Sequence, residues 1–460
     1  MGPILDERGL EQGGVSSSDF YKIFGKEQLE ASQVSGLGVN MRDITVSSVG
    51  QADDTVLLAN NIYDIQNLLE LTLNFCSKYQ VQLCHEKTKL QAFFTKRTAT
   101  LTDYQKDTSS INIAGEPITF AYNVEHVGVI RSSSGNLANI QTRIVAHKRA
   151  LGAVLHTGMA KGHRGNPLAS IRVDNIYGVP VLFSGLASLA LKKVEIDLID
   201  QHVKRNVDNL LRLPVGTPRP VTAFLSGTLP GKAQLHIKQL ALFAMITRLP
   251  GNILHQHAWN SLVASKPCAQ SWFTAIRDLC LLYGLPHPSH FLEQPSTKAS
   301  FKSLVHKKII SHWEFELRQE AEVLPSLEYF KPNFMSLTRP HPLFLTAGSS
   351  SYETTKATVQ AKMLSGRYRT KRLCRHWSLN KQVVCLLSTC SDLYISEDLP
   401  HILAKFRALE STRSRLMKFT EKRVRNLPPE ARDLVTQYCN PTNLHFVHFL
   451  LDCSHYPAVI

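Results

Sequence analysis

The stretch that most constrains this chain is Val46-Ser-Ser-Val-Gly-Gln-Ala-Asp53-Asp54-Thr-Val-Leu-Leu-Ala59. Two short runs carrying β-branched and apolar residues flank a pair of adjacent aspartates, which reads as a hairpin with carboxylates at its tip. Asp is common in turns because its short side chain bends and caps the backbone, so Ala-Asp-Asp alone is compatible with a plain turn. It is also an arrangement that offers oxygen ligands to a hard divalent cation on a short, stiff support. The neighbouring sequence decides which reading to follow.

Upstream, Arg8-Gly-Leu-Glu-Gln12-Gly13-Gly14 opens a helix-like segment. Downstream, Ile62, Ile65, Leu68, Leu69, Thr72, Leu73 and Cys76 recur at three- and four-residue spacing, predicting an amphipathic helix over Ile62 to Tyr79. Glu86-Lys87-Thr-Lys89 and Glu125-His-Val-Gly128-Val follow. In this order the segments resemble the reverse transcriptase of non-LTR (LINE-type) retrotransposons. Gln12-Gly-Gly is similar to its motif B and Gln51-Ala-Asp-Asp to the ADD box of motif C. Glu86-Lys-Thr-Lys is similar to motif D, and Glu125-His-Val-Gly-Val to the motif E primer grip.

The resemblance implies an RNA-directed DNA polymerase that acts on an RNA template and a DNA primer by two-metal nucleotidyl transfer. Asp53 and Asp54 would hold Mg²⁺ or Mn²⁺, with Asp53 the firmer ligand. Two such ions roughly 3.5–4 Å apart activate a primer hydroxyl and stabilise the leaving pyrophosphate. Gln12, Gly13 and Gly14 would lie under the template base and incoming nucleotide, where a missing side chain lets substrate approach the backbone. Lys87 (or Lys89) would protonate the pyrophosphate, and Gly128 would let its hairpin press on the primer.

The sequence departs from the family in two places. Gln51 stands where an aromatic residue usually precedes the box. Only eleven residues precede Gln12, and their acids, Asp6, Glu7 and Glu11, sit in the lead-in to motif B. The family takes a third metal-binding Asp from a strand further upstream. The expectation is a polymerase fragment whose active site is incomplete on its own, with the N-terminal half missing or supplied by a partner. The alternative is a non-catalytic RNA- or DNA-binding remnant of a mobile element.

Charge supports a polyanionic partner. The 460 residues carry 52 Lys and Arg against 37 Asp and Glu, a net charge of +15, and such cations displace counterions from phosphates. Nine irregularly spaced cysteines and an N-terminus with no basic or apolar leader lead us to expect an intracellular, reducing environment. Whether this is the nucleus or the cytoplasm stays open. The longest apolar stretch, Val179 to Leu191, is broken by Pro, Ser and Gly, and no membrane association is expected.

The expected fold class is α+β. A partial polymerase palm (an antiparallel hairpin plus helices) occupies 1–133, and a mostly α-helical remainder follows. That remainder divides into a thumb-like region at 134–215, a helical scaffold at 216–350 and a basic C-terminal region at 351–460. Ala138 to Leu155 is predicted as a basic helix carrying Arg143, His147, Lys148 and Arg149. It would be a thumb helix tracking a phosphate backbone or a solvated face. Ile196, Ile199, Val203, Val207, Leu210 and Leu211 form an amphipathic stripe, and Lys232 to Leu249 and Gln270 to Tyr283 read as helices. Gly227-Thr-Leu-Pro-Gly231-Lys232 has one residue too few for a phosphate loop and reads as a helix start.

In the tail, Arg367, Arg369, Lys371 and Arg372 interleave with Tyr368 ahead of Trp377. That mixture suits single-stranded nucleic acid, with charges on phosphates and rings on bases. Cys385, Cys390 and His401 resemble three ligands of the family's Cys-Cys-His-Cys zinc knuckle, which would hold Zn²⁺. Phe406 stands at the fourth position, so the implied site is short of the closed tetrahedron that structural zinc prefers.

Overall fold

The computed structural model describes residues 16–41, 43–93, 111–113, 115–155, 165–263, 271–345, 347–348, 350–368, 403, 409–415 and 418. Among the described residues helices dominate and the strands form five separate two-stranded ladders, an α+β arrangement.

The N-terminal part is built on two helices, α1 (Ser17–Val34) and α2 (Ile62–Tyr79). The bounds of α2 are those its periodicity predicts. Asn61 starts it by accepting a hydrogen bond from Asp64 N at 2.8 Å, and Gln80 ends it in the left-handed region at φ 54°. Its buried face is Leu68, Leu69, Thr72, Phe75 and Cys76. Phe24 of α1 stands 5.2 Å from the ring centroids of both Phe75 and Tyr79. Gln28 Nε2 donates to Thr72 Oγ1 at 3.2 Å across the same seam.

Between these helices lie β1 (Val39–Met41), β2 (Ile44–Val46), β3 (Ser48–Gln51) and β4 (Asp54–Leu57), paired as two antiparallel hairpins. After α2 come β5 (Lys89–Leu90), β6 (Asn112–Ile113), β7 (Glu116–Pro117), β8 (Thr119–Phe120), β9 (Asn123–His126) and β10 (Val129–Ser132). Strands β5 and β8 pair parallel, whereas β6–β7 and β9–β10 are antiparallel. Two-stranded ribbons are marginal in water without a helix to cover them. Here Leu57 of β4 and Leu90 of β5 share a small core with Ile65, Leu69, Ile111 and Ile113.

The helical part comprises α3 (Leu137–Val154), α4 (Pro167–Val173), α5 (Val179–Phe183), α6 (Lys193–Leu210), α7 (Arg219–Ser226) and α8 (Gly231–Thr247). It continues with α9 (Ile253–Val263), α10 (Trp272–Leu282), α11 (Pro288–Glu293), α12 (Lys298–Val323), α13 (Pro342–Leu345) and α14 (Ser351–Leu364). A widened π turn, Asp174–Gly178, joins α4 to α5. One cluster of buried apolar side chains runs from Ile140 to Leu364. Each fully buried Leu, Ile or Phe in it contributes about 1.5–3 kcal/mol of transfer free energy.

The stripe of α6 is buried at Ile199, Val203, Val207 and Leu211, with Ile196 and Leu210 packed at its margin. Gly231 begins α8 behind Pro230, with Lys232 N donating to Asp200 Oδ1 at 3.0 Å. The Pro-Gly-Lys segment is thus a helix start held by a carboxylate of the neighbouring helix.

Candidate functional site

Strands β3 and β4 pair from Ser48↔Leu57 to Gln51↔Asp54, leaving Ala52 and Asp53 as the two-residue tip. Ala52 takes φ +51° and is the only tip residue in the left-handed region. Positive φ at the first central residue alone belongs to the II′ class of hairpin turns, whose twist matches that of the strands. Asp53 and Asp54 are both exposed. The hairpin rests on α1: a Cβ on Gly50 would stand 3.4 Å from Leu29 Cδ1, so glycine permits this approach.

One residue of α1 escapes the sequence reading. Burial pushes the Tyr21 phenol above its ordinary range, and the negative charge of Asp53 pushes it further. The half-buried Tyr21 ring, 5.8 Å from Phe24, therefore lies under the field of the tip carboxylate. No motif signals this; it follows from α1 packing beneath the hairpin.

Lys87 is exposed in a turn in which its N–H donates to Cys84 O at 3.2 Å. That turn leads into β5, whose Leu90 packs against the same small core as Leu57 of β4. Packing thus ties the Lys87 segment to the carboxylate hairpin, although neither Asp53 nor Asp54 forms an ion pair with it among the described residues.

The second hairpin, β9–β10, closes through Val127 and Gly128 at φ +50° and +71°. Positive φ at both positions is the I′ turn, which favours Gly. A Cβ on Gly128 would stand 3.5 Å from Arg143 Nη2, so the guanidinium of α3 covers this tip. Asn139, one helical turn earlier, accepts from Ile130 N at 3.3 Å. Asn139 Nδ2, Arg143 Nε and His126 Nε2 are shielded from solvent without a protein partner. A cluster of unpaired polar atoms in one seam is uncommon, because each costs about 1–3 kcal/mol when left unsatisfied.

Helix α3 divides its basic residues between solvent and the interior. Lys148 and Arg149 are exposed, but His147 is 1% exposed and Arg143 is half-buried. His147 turns inward because Asp174 of the π turn waits there: Nε2 lies 2.8 Å from Asp174 Oδ1. Its Nδ1 lies 2.9 Å from His202 Nε2 of α6, and Asn206 Nδ2 donates to Asp174 Oδ2 at 2.7 Å. A Cβ on Gly178 would overlap Asp174 Oδ1 and come 2.8 Å from His147 Nε2, so glycine clears the space for this pair. The sequence reading placed His147 among the cations of α3 and missed Asp174 and His202.

Three carboxylates of α6, Glu195, Asp200 and Asp208, also face inward. Asp200 is held by Arg219 at 3.2 Å and Asp208 by Lys204 at 2.7 Å, while Glu195 accepts from Lys192 N at 2.7 Å. Arg205 stays exposed, and neither it nor Lys148 or Arg149 has an ion-pair partner among the described residues.

Arg367 is half-buried against Gly216, with its Nε shielded and unpartnered. Gln12, Gly13, Gly14, Arg369, Lys371, Arg372, Cys385, Cys390 and His401 lie outside the described residues. Among the described residues no three His, Cys, Asp or Glu side chains are grouped to hold a metal, and no helix is long and apolar enough to cross a membrane. Asp53 and Asp54 supply oxygen ligands of the kind Mg²⁺ prefers, but only two of them. Comparison with known protein families finds no family that matches this chain, and comparison with curated proteins finds no match either.

Proposed function

We propose that this chain is part of a non-LTR retrotransposon reverse transcriptase, carrying the carboxylate hairpin and the nucleic-acid-holding elements that follow it. The observation that carries the reading is the pair of exposed, adjacent carboxylates on a stiff two-residue tip seated on α1. It gains support from the chain order: the Lys87 turn comes next, then a glycine-tipped hairpin covered by the cation-bearing α3.

In this reading Asp53 and Asp54 would hold a divalent cation, which when bound supplies charge neutralisation at the reacting phosphate and activation of a hydroxyl. Lys87 would place a proton donor near the leaving group, and Gly128 would offer a bare backbone surface to a primer. Two ions need more than one aspartate pair. A site lacking a third carboxylate holds them loosely, and misplacement by about 1 Å can cost on the order of 10²-fold in rate. Catalysis then depends on a further acidic residue completing the site.

A second reading, non-catalytic binding of RNA or DNA, is favoured by Lys148, Arg149 and Arg205, which are exposed and have no ion-pair partner among the described residues, beside inward-turned acids. Such cations bind phosphates electrostatically whether or not chemistry follows.

The test is primer extension by the full chain on an oligo(dT)-primed RNA with Mg²⁺ or Mn²⁺, beside Asp53→Ala, together with a gel shift at two salt concentrations. Extension lost in the variant supports the polymerase. Salt-sensitive binding without extension, indifferent to the substitution, supports the binding remnant. Neither extension nor binding rejects both.

A further inference from the structure

Where the first hairpin meets the helical part, a cleft of about 300 Å³ opens between Asp43, Ile44, His255, Gln256, Trp259 and Asn260. Asp43 lies in the turn between β1 and β2, and Ile44 beside it is buried. The other four residues come from α9, which packs on β2. A volume at the small end of ligand pockets suits one compact planar group.

Helical spacing builds the wall. His255 with Trp259, and Gln256 with Asn260, stand four residues apart and form two adjoining rows on one face. Ala258 and Leu262 of the same helix are buried in the main core, and Trp259 packs against that core at its edge. His255 Nε2 lies 3.3 Å from Leu292 O, which ties this face to α11. The Trp259 ring is therefore a held platform, half-buried on one side and open to the cleft on the other.

The polar groups around that ring are unused. Trp272 and Trp313 donate their indole N–H to Ala187 O and to the Tyr283 hydroxyl, at 2.7 and 3.1 Å. The Trp259 N–H meets no acceptor among the described residues. The amides of Gln256 and Asn260 and the carboxylate of Asp43 also have no hydrogen-bond partner among them. One aromatic face with convergent donors and acceptors is the outline of a site that orients a ring by its edge.

We propose that this cleft takes one unstacked nucleobase bearing an exocyclic amine, with its ring on Trp259, its edge on Gln256 and Asn260, and its amine donating to Asp43. A carboxylate only accepts, so it selects the amine of adenine or cytosine over a carbonyl at that position. Side-chain amides pair with base edges through one donor and one acceptor. A single ring makes no cage for a cation, and the net charge of +15 draws in an anionic strand and repels a basic peptide. The site lies outside the carboxylate hairpin. It rests on the nucleic-acid reading above only for the source of the base.

The test is anisotropy titration of the full chain with labelled single strands of equal length: oligo(C), oligo(U) and an abasic strand. All three carry the same phosphates, and cytosine differs from uracil chiefly in its amine. Oligo(C) should bind tighter than oligo(U) by on the order of tenfold, and the abasic strand should bind weakest. Asp43→Asn, an exposed substitution, should erase the preference for cytosine, because an amide also donates. Trp259→Ala should weaken oligo(C) by on the order of tenfold, whereas Trp259→Phe, which keeps a stacking ring and the core contact, should retain most of the affinity. Gln256→Ala with Asn260→Ala should weaken oligo(C) and leave the abasic strand unchanged.

Equal binding of all three strands, or a cytosine preference that Asp43→Asn leaves intact, overturns the inference while the nucleic-acid reading stands. Cytidine monophosphate distinguishes the sources of the base: tighter binding of oligo(C) assigns the cleft to a strand, and equal binding assigns it to a free nucleotide. If no strand binds, the same nucleotide decides. Quenching of tryptophan fluorescence that is stronger than with uridine monophosphate and lost in Trp259→Phe keeps the base site while the nucleic-acid reading fails. No quenching overturns both.

Discussion

A Cβ placed on Gly231 would stand 2.8 Å from Cγ2 of Val203 and 3.1 Å from the Cα of Asp200. Helices α8 and α6 therefore cross backbone to side chain at the first residue of α8, a separation that any larger residue would widen. Gly231→Ala would ordinarily favour a helix by up to ~1 kcal/mol. Here the overpacking cost of about 1–3 kcal/mol should win, and denaturant unfolding should show net destabilisation. A stabilised variant would mean that the two helices slide apart freely.

His236 of α8 predicts an acid-sensitive core. Its Nδ1 lies 2.6 Å from the Tyr283 hydroxyl, which also accepts from Trp313 Nε1 at 3.1 Å. Burial above all, then Lys232 and His312, hold His236 down to about 3. The folded state thus refuses a proton that the unfolded chain accepts below its ordinary value near 6.5. Stability is unpenalised above that value and falls as pH drops through the window from 6.5 toward 3. The loss should be on the order of a few kcal/mol. Unfolding measured from pH 7 downward should show His236→Gln flattening part of this decline.

The Tyr21 phenol reports on the carboxylate tip. Because the charge of Asp53 helps raise it, Asp53→Asn should lower its titration midpoint. The shift should be small, since burial is the larger cause. Ultraviolet alkaline titration, with Tyr21→Phe subtracted, would measure it. Saturating Mg²⁺ should act in the same direction on the wild type if the pair holds the ion. Unfolding free energy should stay within about 0.5 kcal/mol in Asp53→Asn, because the side chain is exposed.

Gly128 sits at φ +71° beneath Arg143. Gly128→Val introduces a β-branched residue into the left-handed region, at a cost of roughly 1–3 kcal/mol, and pushes on the guanidinium. The variant should unfold earlier in denaturant and show weaker protection of the Ile130 amide, which Asn139 accepts, in hydrogen exchange. Unchanged protection would mean that the tip and α3 are not coupled.

Much of this architecture is local and was therefore readable. The three- and four-residue spacing of Ile62 to Cys76 marks one face of α2, and the stripe from Ile199 to Leu211 marks one face of α6. In each, burial of that face is the main favourable term, so pattern and structure coincide. A regular four-residue spacing runs through Phe301, Val305, Ile309, Trp313, Leu317 and Ala321 of α12. It was equally available in the sequence, although no motif drew attention to it. The carboxylate tip was legible because a two-residue hairpin depends on near neighbours alone.

What distant contacts decide was not legible. His147 and Lys148 are adjacent in sequence, yet one is buried against Asp174 and the other exposed. The difference comes from a π turn 27 residues away whose Gly178 leaves room for the hydrogen bond. Arg143 of the basic helix lies over the Gly128 tip, a placement that its own helix does not signal. Tyr21 gained its link to Asp53 only when α1 packed under β3. The sequence by itself determined which segments are helices, where the carboxylates turn and how positive the chain is, because periodicity, turn chemistry and composition act over a few residues. Only the tertiary structure decided which charges face water, because that depends on the partner each side chain meets across the core.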